Sequence, residues 1–469
     1  MSSVKDLFGS KLNVLNVGLE QFYLTLQQQN VDAGHVEWKP RAGGDPEIIK
    51  IVDALKSDPR VIKANQKAFN KINNASPVWV DVIPAYKAIS IDRFTLLHAG
   101  PPIKFVDMCV PMQGAVYAAL KYEGLAENDE QAHQLAESKI HFEPCHHYGC
   151  VGPMTGVISY SMPLLCVKNL DEGNMAYSTF NEGAGDVARF GAYGENTVRR
   201  LKWIENVLAP AMKRVVDKDP INLKVLISQA LNMGDELHMR NNSSTSVFLK
   251  AIMAALCEVT DSSQLPEIAR FLTTNNDQFF LNFAMAAMKA SADSAHNIPY
   301  STMVTAMARN GVNIGIRVSG LKDQWFIAPA AQVVGLYFPG YTEEDANPDI
   351  GDSAIMETGG VGGFAMAAAP AIVKFLGAGS VSDALNYTKE MYEICLGESA
   401  MYSIPNMDFR GSPLGIDIVK VVESGSLPVI NTAIASKKAG GGMVGAGVAR
   451  APLPMFKEAL KTLYKQMEE

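Results

Sequence analysis

The opening of the chain constrains its fold more than any other segment. Residues 13–18 form a short apolar run that ends on Gly18, a helical pattern follows over 20–29, and residues 33–38 return to alternation. Strand, glycine turn, helix and strand make a βαβ unit, and such a unit starts a parallel sheet. A second helical pattern follows at 46–57, and residues 78–83 supply a third strand. The predicted fold is therefore α/β and α+β over several domains, as expected for 469 residues. A Rossmann-like parallel sheet is expected in 1–98, a mixed α+β domain in 99–196, a helical domain in 197–298 and a glycine-rich α+β domain in 299–469. The last 15 residues carry the pattern of an amphipathic terminal helix.

Composition excludes several function classes. A net charge of −8 with no basic stripe argues against a nucleic-acid backbone as the main ligand. The six cysteines are too sparse for a secreted disulfide framework, and the first residues lack the apolar core of a signal peptide. A cytoplasmic location with reduced thiols is expected. The most apolar stretch, 359–378, is mainly glycine and alanine with Pro370 and Lys374 inside it, so a buried helix is expected rather than a membrane span.

The densest reactive cluster is Cys145, His146, His147 and Cys150. Adjacent histidines point different ways and the C-x2-C spacing of zinc sites is missing, so no metal is expected. A catalytic or substrate-contacting loop remains, because histidine titrates near neutral pH; so do imidazoles satisfied by nearby backbone. Glu182 and Arg189 flank a glycine loop that either approaches a ligand or serves structure, the two side chains pairing with each other. Asp235, Glu236, His238 and Arg240 are packed more densely than helix capping requires.

Arg309 and Arg317 lie among glycines on strand–turn patterning. A guanidinium is a planar fork suited to carboxylate or phosphate, and these two are the first choices for anion recognition; salt bridges on a sheet edge are the bland alternative. The acidic run Asp345, Asn347, Asp349, Asp352 resembles a calcium loop, but Ile350 stands where glycine is required and Glu357 falls one residue late. That leaves a divalent ion held with a phosphate, orientation of the arginines, or plain turn chemistry. Gly359 to Gly363, opening an apolar helix, offers amide groups to an anion. Lys437 and Lys438 precede the run Gly440, Gly441, Gly442, which is either a phosphate nest or a flexible loop. Neither G-x-x-x-x-G-K-[ST] nor a G-x-G-x-x-G after the first strand occurs, so no nucleotide cofactor is expected.

Several blocks, in order, resemble the YlbE/AllG family: Asn16-Val-Gly-Leu-Glu20, Trp38-Lys-Pro-Arg-Ala-Gly-Gly-Asp45, Pro144-Cys-His-His147, Arg189-Phe-Gly-Ala-Tyr-Gly194, Thr305-Ala-Met-Ala-Arg-Asn-Gly311, Gly335-Leu-Tyr-Phe-Pro-Gly-Tyr341 and Asp345-Ala-Asn-Pro-Asp-Ile-Gly-Asp352. The likeness spans about residues 13 to 452. It implies a subunit of oxamate carbamoyltransferase working beside an FdrA-type subunit and a third subunit, in anaerobic allantoin or purine nitrogen breakdown. The reaction implied is carbamoyl transfer between carbamoyl phosphate and oxamate, with oxalurate as the carbamoylated product. The Ser-x-Arg-Thr phosphate signature of the familiar transcarbamoylases is absent, so either another loop or a partner subunit holds carbamoyl phosphate.

That chemistry needs positive charge on the leaving phosphate and donors at the carbonyl oxygen. Arg309 and Arg317 fit a carboxylate clamp, Arg240 a further anion contact, Lys437 and Lys438 with Gly440 and Gly441 a phosphate nest, and His146 or His147 a carbonyl donor or proton acceptor. Glu182, Arg189, Asp345, Asn347 and Asp352 are expected to support them from behind. Two rival classes stand beside this reading: a non-catalytic assembly partner of the FdrA-type subunit, and an acyl-CoA-ligase-like subunit, for which no phosphohistidine loop is identifiable. A homo-oligomer is also left open.

Overall fold

Helix Leu281–Ser294 is apolar on every side, and all but one of its residues are buried. A helix of that kind has to run through the interior rather than over it. It packs against strands Pro163–Asn169 and Met175–Ser178, touches Pro77–Pro84 and Val304–Asn310, and meets helix Ile355–Thr358 at its other flank. One element therefore joins the two large cores of the protein. The computed structural model describes residues 14–36, 38–183, 186–274 and 276–468.

Among the described residues the strands form six sheets. The largest runs in the order Ile221–Asn222, Pro77–Pro84, Pro163–Asn169, Met175–Ser178, Cys150–Val151. A four-stranded sheet has the order Phe326–Pro329, Asn313–Val318, Val304–Asn310, Ile350–Gly351. Val334–Tyr337, Met443–Arg450 and Val429–Ala435 make a third, antiparallel sheet. The chain is thus mixed α/β with several sheets and more than one domain.

The expected Rossmann-like sheet is not what forms. Val14–Val17 and Ala33–Val36 do pair in parallel around helix Glu20–Gln28, but among the described residues the sheet stops at two strands. The expected third strand, Pro77–Pro84, instead pairs antiparallel with Pro163–Asn169 and with Ile221–Asn222. Alternation along a strand fixes which face is buried and says nothing of its neighbour. Asn13 and Glu37, included in the expected strands, lie outside the described residues. The small unit leaves Leu15, Val17, Leu19, Phe22 and Trp38 largely exposed, although parallel sheets are ordinarily covered on both faces.

The helical patterning of 197–298 is realised in helices Glu195–Trp203, Ala209–Lys218, Leu223–Asn232, Asn242–Val259, Leu265–Thr273 and Leu281–Ser294. Helix Pro46–Ser57 begins where its sequence says: Asp45 accepts from the amides of Glu47 and Ile48, and Pro46 fills the first turn. The terminal helix is Leu453–Glu468. The apolar stretch near residue 360 is not one helix. It breaks into Ile355–Thr358 and a 3-10 segment Gly362–Ala368, both in the interior, and Ala371–Leu376, which buries Ile372, Val373 and Leu376 and leaves Lys374 and Phe375 exposed. Among the described residues no helix is long and apolar enough to cross a membrane.

The core under the large sheet is aromatic. Phe283 has its ring centroid 4.4 Å from that of Phe248 and 4.9 Å from that of Trp79, with Phe180, Phe279 and Phe280 around them. Replacing Phe283 by alanine removes the ring that ties helix to sheet. The expected cost is about 3–5 kcal/mol of stability, read from denaturant unfolding curves.

Candidate functional site

The site grows from a hairpin. Strands Val304–Asn310 and Asn313–Val318 pair antiparallel, with Arg309 opposite Ile314 and Ala306 opposite Arg317. Side chains alternate between faces, so the two arginines project from opposite faces of the ribbon. The expected two-arginine clamp is therefore corrected. Arg309 is fully buried, and its Nε and Nη2 donate to Asp349 at 2.8 and 3.0 Å, its Nη1 to the Gly351 carbonyl at 2.7 Å. Thr432 takes a further bond from Nη2 and itself donates to Asp349. That fork is occupied by the protein and braces the segment after Asn347.

Arg317 faces a different environment. Its Nη1 donates to the His146 carbonyl at 3.1 Å, and its Nη2 donates to His296 Nε2 at 2.9 Å and to the Asp323 carboxylate. Its Nε is buried without a partner. A bulge between Val304 and Ala306 turns Thr305 toward this side, where its Oγ1 lies 2.7 Å from His296 Nδ1. Because guanidinium can only donate, His296 Nε2 accepts and its proton sits on Nδ1. Burial lowers the His296 pKa to about 4, so the ring is neutral.

Lys289 comes up from the buried central helix. Its Nζ donates to Asp293 at 2.7 Å and reaches the His146 carbonyl at 3.5 Å. His146 lies between the two cations, and among the described residues neither ring nitrogen has a hydrogen-bond partner. Its Nε2 is 3.6 Å from Asp352, which is itself held by the Gly100 and Gly152 amides at 2.9 and 2.8 Å. Burial, then Lys289 and Arg317, push the His146 pKa well below its usual value. Gly100 has φ +87°, and a Cβ there would lie 2.5 Å from the Asn310 amide nitrogen; only glycine at position 100 brings its own N–H to Asp352. The Cys145 thiol is buried, and burial raises its pKa well above the ordinary value, so it is no nucleophile here.

His147, the next residue, lies nearer the surface. It is bound to Glu143 through Nδ1 at 3.0 Å and accepts from the Trp325 indole at 2.9 Å, so both nitrogens are engaged. Trp325 also presents its edge to His146. The arrangement is a small, dry, donor-rich spot with two cations, an uncharged imidazole and unused N–H groups. Such a spot wants an acceptor-rich, negatively charged ligand.

The other expected residues lie elsewhere. Glu182 and Arg189 approach each other at 3.3 Å, with Glu182 accepting from the Met154 amide and Arg189 donating to the Gly183 carbonyl and Gln278; Ala184 and Gly185 of that loop lie outside the described residues. Asp345 caps its own turn at Thr342, and its carbonyl accepts from the Lys437 amide. Asn347 is buried against Pro348 and Gly311. Lys438 donates its amide to Ser436, and Gly440 packs beside Tyr193 while a Cβ on Gly441 would strike Ser436. Among the described residues no hydrogen bond or ion pair joins the two lysines to His146 or Arg317. The Gly362 and Gly363 amides are taken by the Glu236 carbonyl and by Glu357, not left for an anion. Arg240 lines a separate cavity of about 340 Å³ with Asp277, Gln278 and Phe375, its Nε unpartnered.

Sequence reasoning missed Lys289, His296, Asp323 and Trp325. A lysine inside a helix with no polar face was the available signal for the first. It singled out Glu236 and named Glu357 but did not bring the two together. Glu236 accepts from the amides of Met239 and Arg240, and Glu357 accepts from His238 Nδ1 at 2.8 Å and from the Gly363 amide. Burial raises Glu236 to about 7 and Asp235 to about 6, and Asp352 also to about 6.

Fold and site together define a mixed α/β protein whose interior gathers Lys289, Arg317 and two neutral histidines in one cluster. The chain belongs to the AllG family. It is 45% identical over 413 residues to "Oxamate carbamoyltransferase subunit AllG" of Escherichia coli (strain K12), covering 87% of this chain and 98% of that protein. A family model with the description "Oxamate carbamoyltransferase subunit AllG" matches residues 140–353. The chain is also 43% identical over 465 residues to "Uncharacterized protein YahG" of the same organism, across 97% of this chain and 98% of that one. The crystal structure of a conserved protein of unknown function from Enterococcus faecalis V583 superposes with a TM-score of 0.84 at 45% identity, covering 86% of this chain and 98% of that chain.

The raised carboxyls have a measurable consequence. Glu236 holds its proton more tightly folded than unfolded, so its contribution to stability is full below the ordinary glutamate range and is lost as pH rises through about 7. Asp352 and Asp235 act the same way through about 6. The thermal midpoint is expected to fall as pH rises from about 5.5 to 7.5, with at most about 1.4 kcal/mol per pH unit from each group. Glu236→Gln flattens that slope, whatever it does to the midpoint itself; an unchanged slope would contradict the assignment.

Proposed function

We propose that this chain is a subunit of a carbamoyltransferase that moves a carbamoyl group between carbamoyl phosphate and oxamate, with oxalurate as product. The observation that carries the reading is the set of unpartnered polar atoms around His146: the Arg317 Nε donor and the two ring nitrogens, one a donor and one an acceptor in the neutral imidazole, flanked by Lys289. The printed name of the AllG relative supports the reaction class. In the forward step the amide nitrogen of oxamate attacks the carbonyl carbon of carbamoyl phosphate. The C–N bond forms, the C–O bond to phosphate breaks, and phosphate leaves with the electron pair. Arg317 holds the oxamate carboxylate, Lys289 offsets charge building on the carbonyl oxygen and leaving group, and neutral His146 accepts the amide proton. Arg309 acts by bracing Asp349, and Asp352 by orienting His146. Lys437, Lys438, Gly440 and Gly441 serve the phosphate only if that loop moves toward the seat or meets a partner's site; Arg240 is a separate anion contact.

We assign the chain to the cytoplasm and to a hetero-oligomer with an FdrA-type subunit and a third subunit, in anaerobic allantoin or purine nitrogen breakdown. The assembly reading draws on the small N-terminal sheet, whose Leu15, Val17, Phe22 and Trp38 stand in solvent. On that reading the chain is also a docking partner. The experiment is phosphate release from carbamoyl phosphate plus oxamate by this chain combined with its partner subunits. Arg317→Ala is expected to lower kcat/KM about 100-fold or more, and Arg317→Lys to recover little of it. Turnover within about twofold of normal for both Arg317→Ala and His146→Ala would dispose of the catalytic assignment and leave the docking role.

A further inference from the structure

Asp323 stands out among the groups around the cationic seat. Its side chain is 77% exposed, yet its carboxylate pairs with Arg317, whose side chain is 5% exposed. His296 Nε2 is 3.6 Å from the same oxygen. The contact is end-on through Nη2, and the Nε edge of the guanidinium stays empty. A free carboxylate would engage Nε and Nη2 together, which is the stronger geometry.

The loop that carries Asp323 is strained. Lys322, just before it, has φ +52° and ψ −135°, a conformation foreign to residues with a side chain. Beside it opens a cavity of about 450 Å³ lined by Asn297, Tyr300, Ser319, Lys322 and Asp323. Asn297 and Tyr300 also have positive φ, +61° and +71°. Three left-handed non-glycine residues thus surround one cavity, and Asp323 stands between that cavity and the buried arginine. Strain of this kind gathers at clamps and switch segments. The volume is in the range of small-molecule sites.

We infer that Asp323 is a displaceable counter-ion that keeps the place of the substrate's carboxylate on Arg317, so that only a ligand bringing its own negative group opens the seat. This rests on the reading of the site given above and names its gate and its charge specificity. An arriving carboxylate takes the Nε and Nη2 edge of Arg317. Asp323 swings into the cavity or into solvent, where an exposed carboxylate is well hydrated and loses little. Net charge in the seat is conserved through the exchange. A neutral diamide of the same size brings no charge to replace it and is turned away.

The test is calorimetric binding of oxamate, and of neutral oxamide, to the full-length chain and to D323A, R317A and R317A/D323A. Removing an internal competitor frees the whole population for ligand, so D323A is expected to bind oxamate about tenfold more tightly if the open form is about a tenth of the population. The double variant should lose binding, and oxamide should stay unbound by the unaltered chain. If R317A abolishes binding and D323A binds no better than the unaltered chain, Asp323 merely orients Arg317 and the gate is wrong. If R317A binds oxamate as the unaltered chain does, or none of the four binds it, the reading of the seat itself falls and the gate with it. A purely structural role for Asp323 cannot produce a gain in affinity.

Discussion

Three carboxylates carried by Asp349, Asp352 and Glu357 go into the interior, and each is fastened to a different part of the chain. Asp349 takes the fork of Arg309 and the hydroxyl of Thr432. Asp352 takes the amides of Gly100 and Gly152. Glu357 takes His238, Gly363 and the Asn431 amide. A buried carboxylate costs several kcal/mol unless enough donors converge on it. The loops at 100 and 152, strand Val304–Asn310 and strand Val429–Ala435 have to arrive together for all three to be tolerated. The His146 turn follows Pro144 and directly precedes the loop that Asp352 holds, so the imidazole inherits its position from this convergence.

On the proposed reading the site works by withholding water. Burial lowers the pKa of Lys289 and of Arg317 while Asp293 and Asp323 oppose the shift, and His146 and His296 are driven neutral by burial and by the same cations. Two fixed positive groups around an uncharged imidazole in a dry setting act on a bound anion far more strongly than they would in water. His296 adds no charge. Its role is geometric, since the Thr305 bond fixes its tautomer and leaves a lone pair for Arg317.

Local patterns showed much of this in the sequence, and pairings did not. The helices from Glu195 onward and the capped helix after Asp45 follow from periodicity and capping chemistry that act over a few residues. The neighbours of Pro77–Pro84 could not be read, because an eight-residue apolar strand suits a parallel and an antiparallel partner alike. In the candidate site, His146, Arg317 and Asp352 were singled out by residue type and are close in space. Arg309 was singled out by the same logic and is structural: telling the two arginines apart required the hairpin's pairing. Asp323 looked like any loop aspartate, and nothing in its neighbours along the chain marks it as facing a buried guanidinium.

The opposed arginines of the hairpin carry a last implication. Since they sit on opposite faces of one ribbon, one on each strand, a slip of a single residue between the strands would turn one of them over and bring both guanidiniums to the same face. Asp349 accepts only a fork arriving from its own side, so the ion pair deep in the protein acts as a detent for the strand. The aim of Arg317 is set by a lock it never touches.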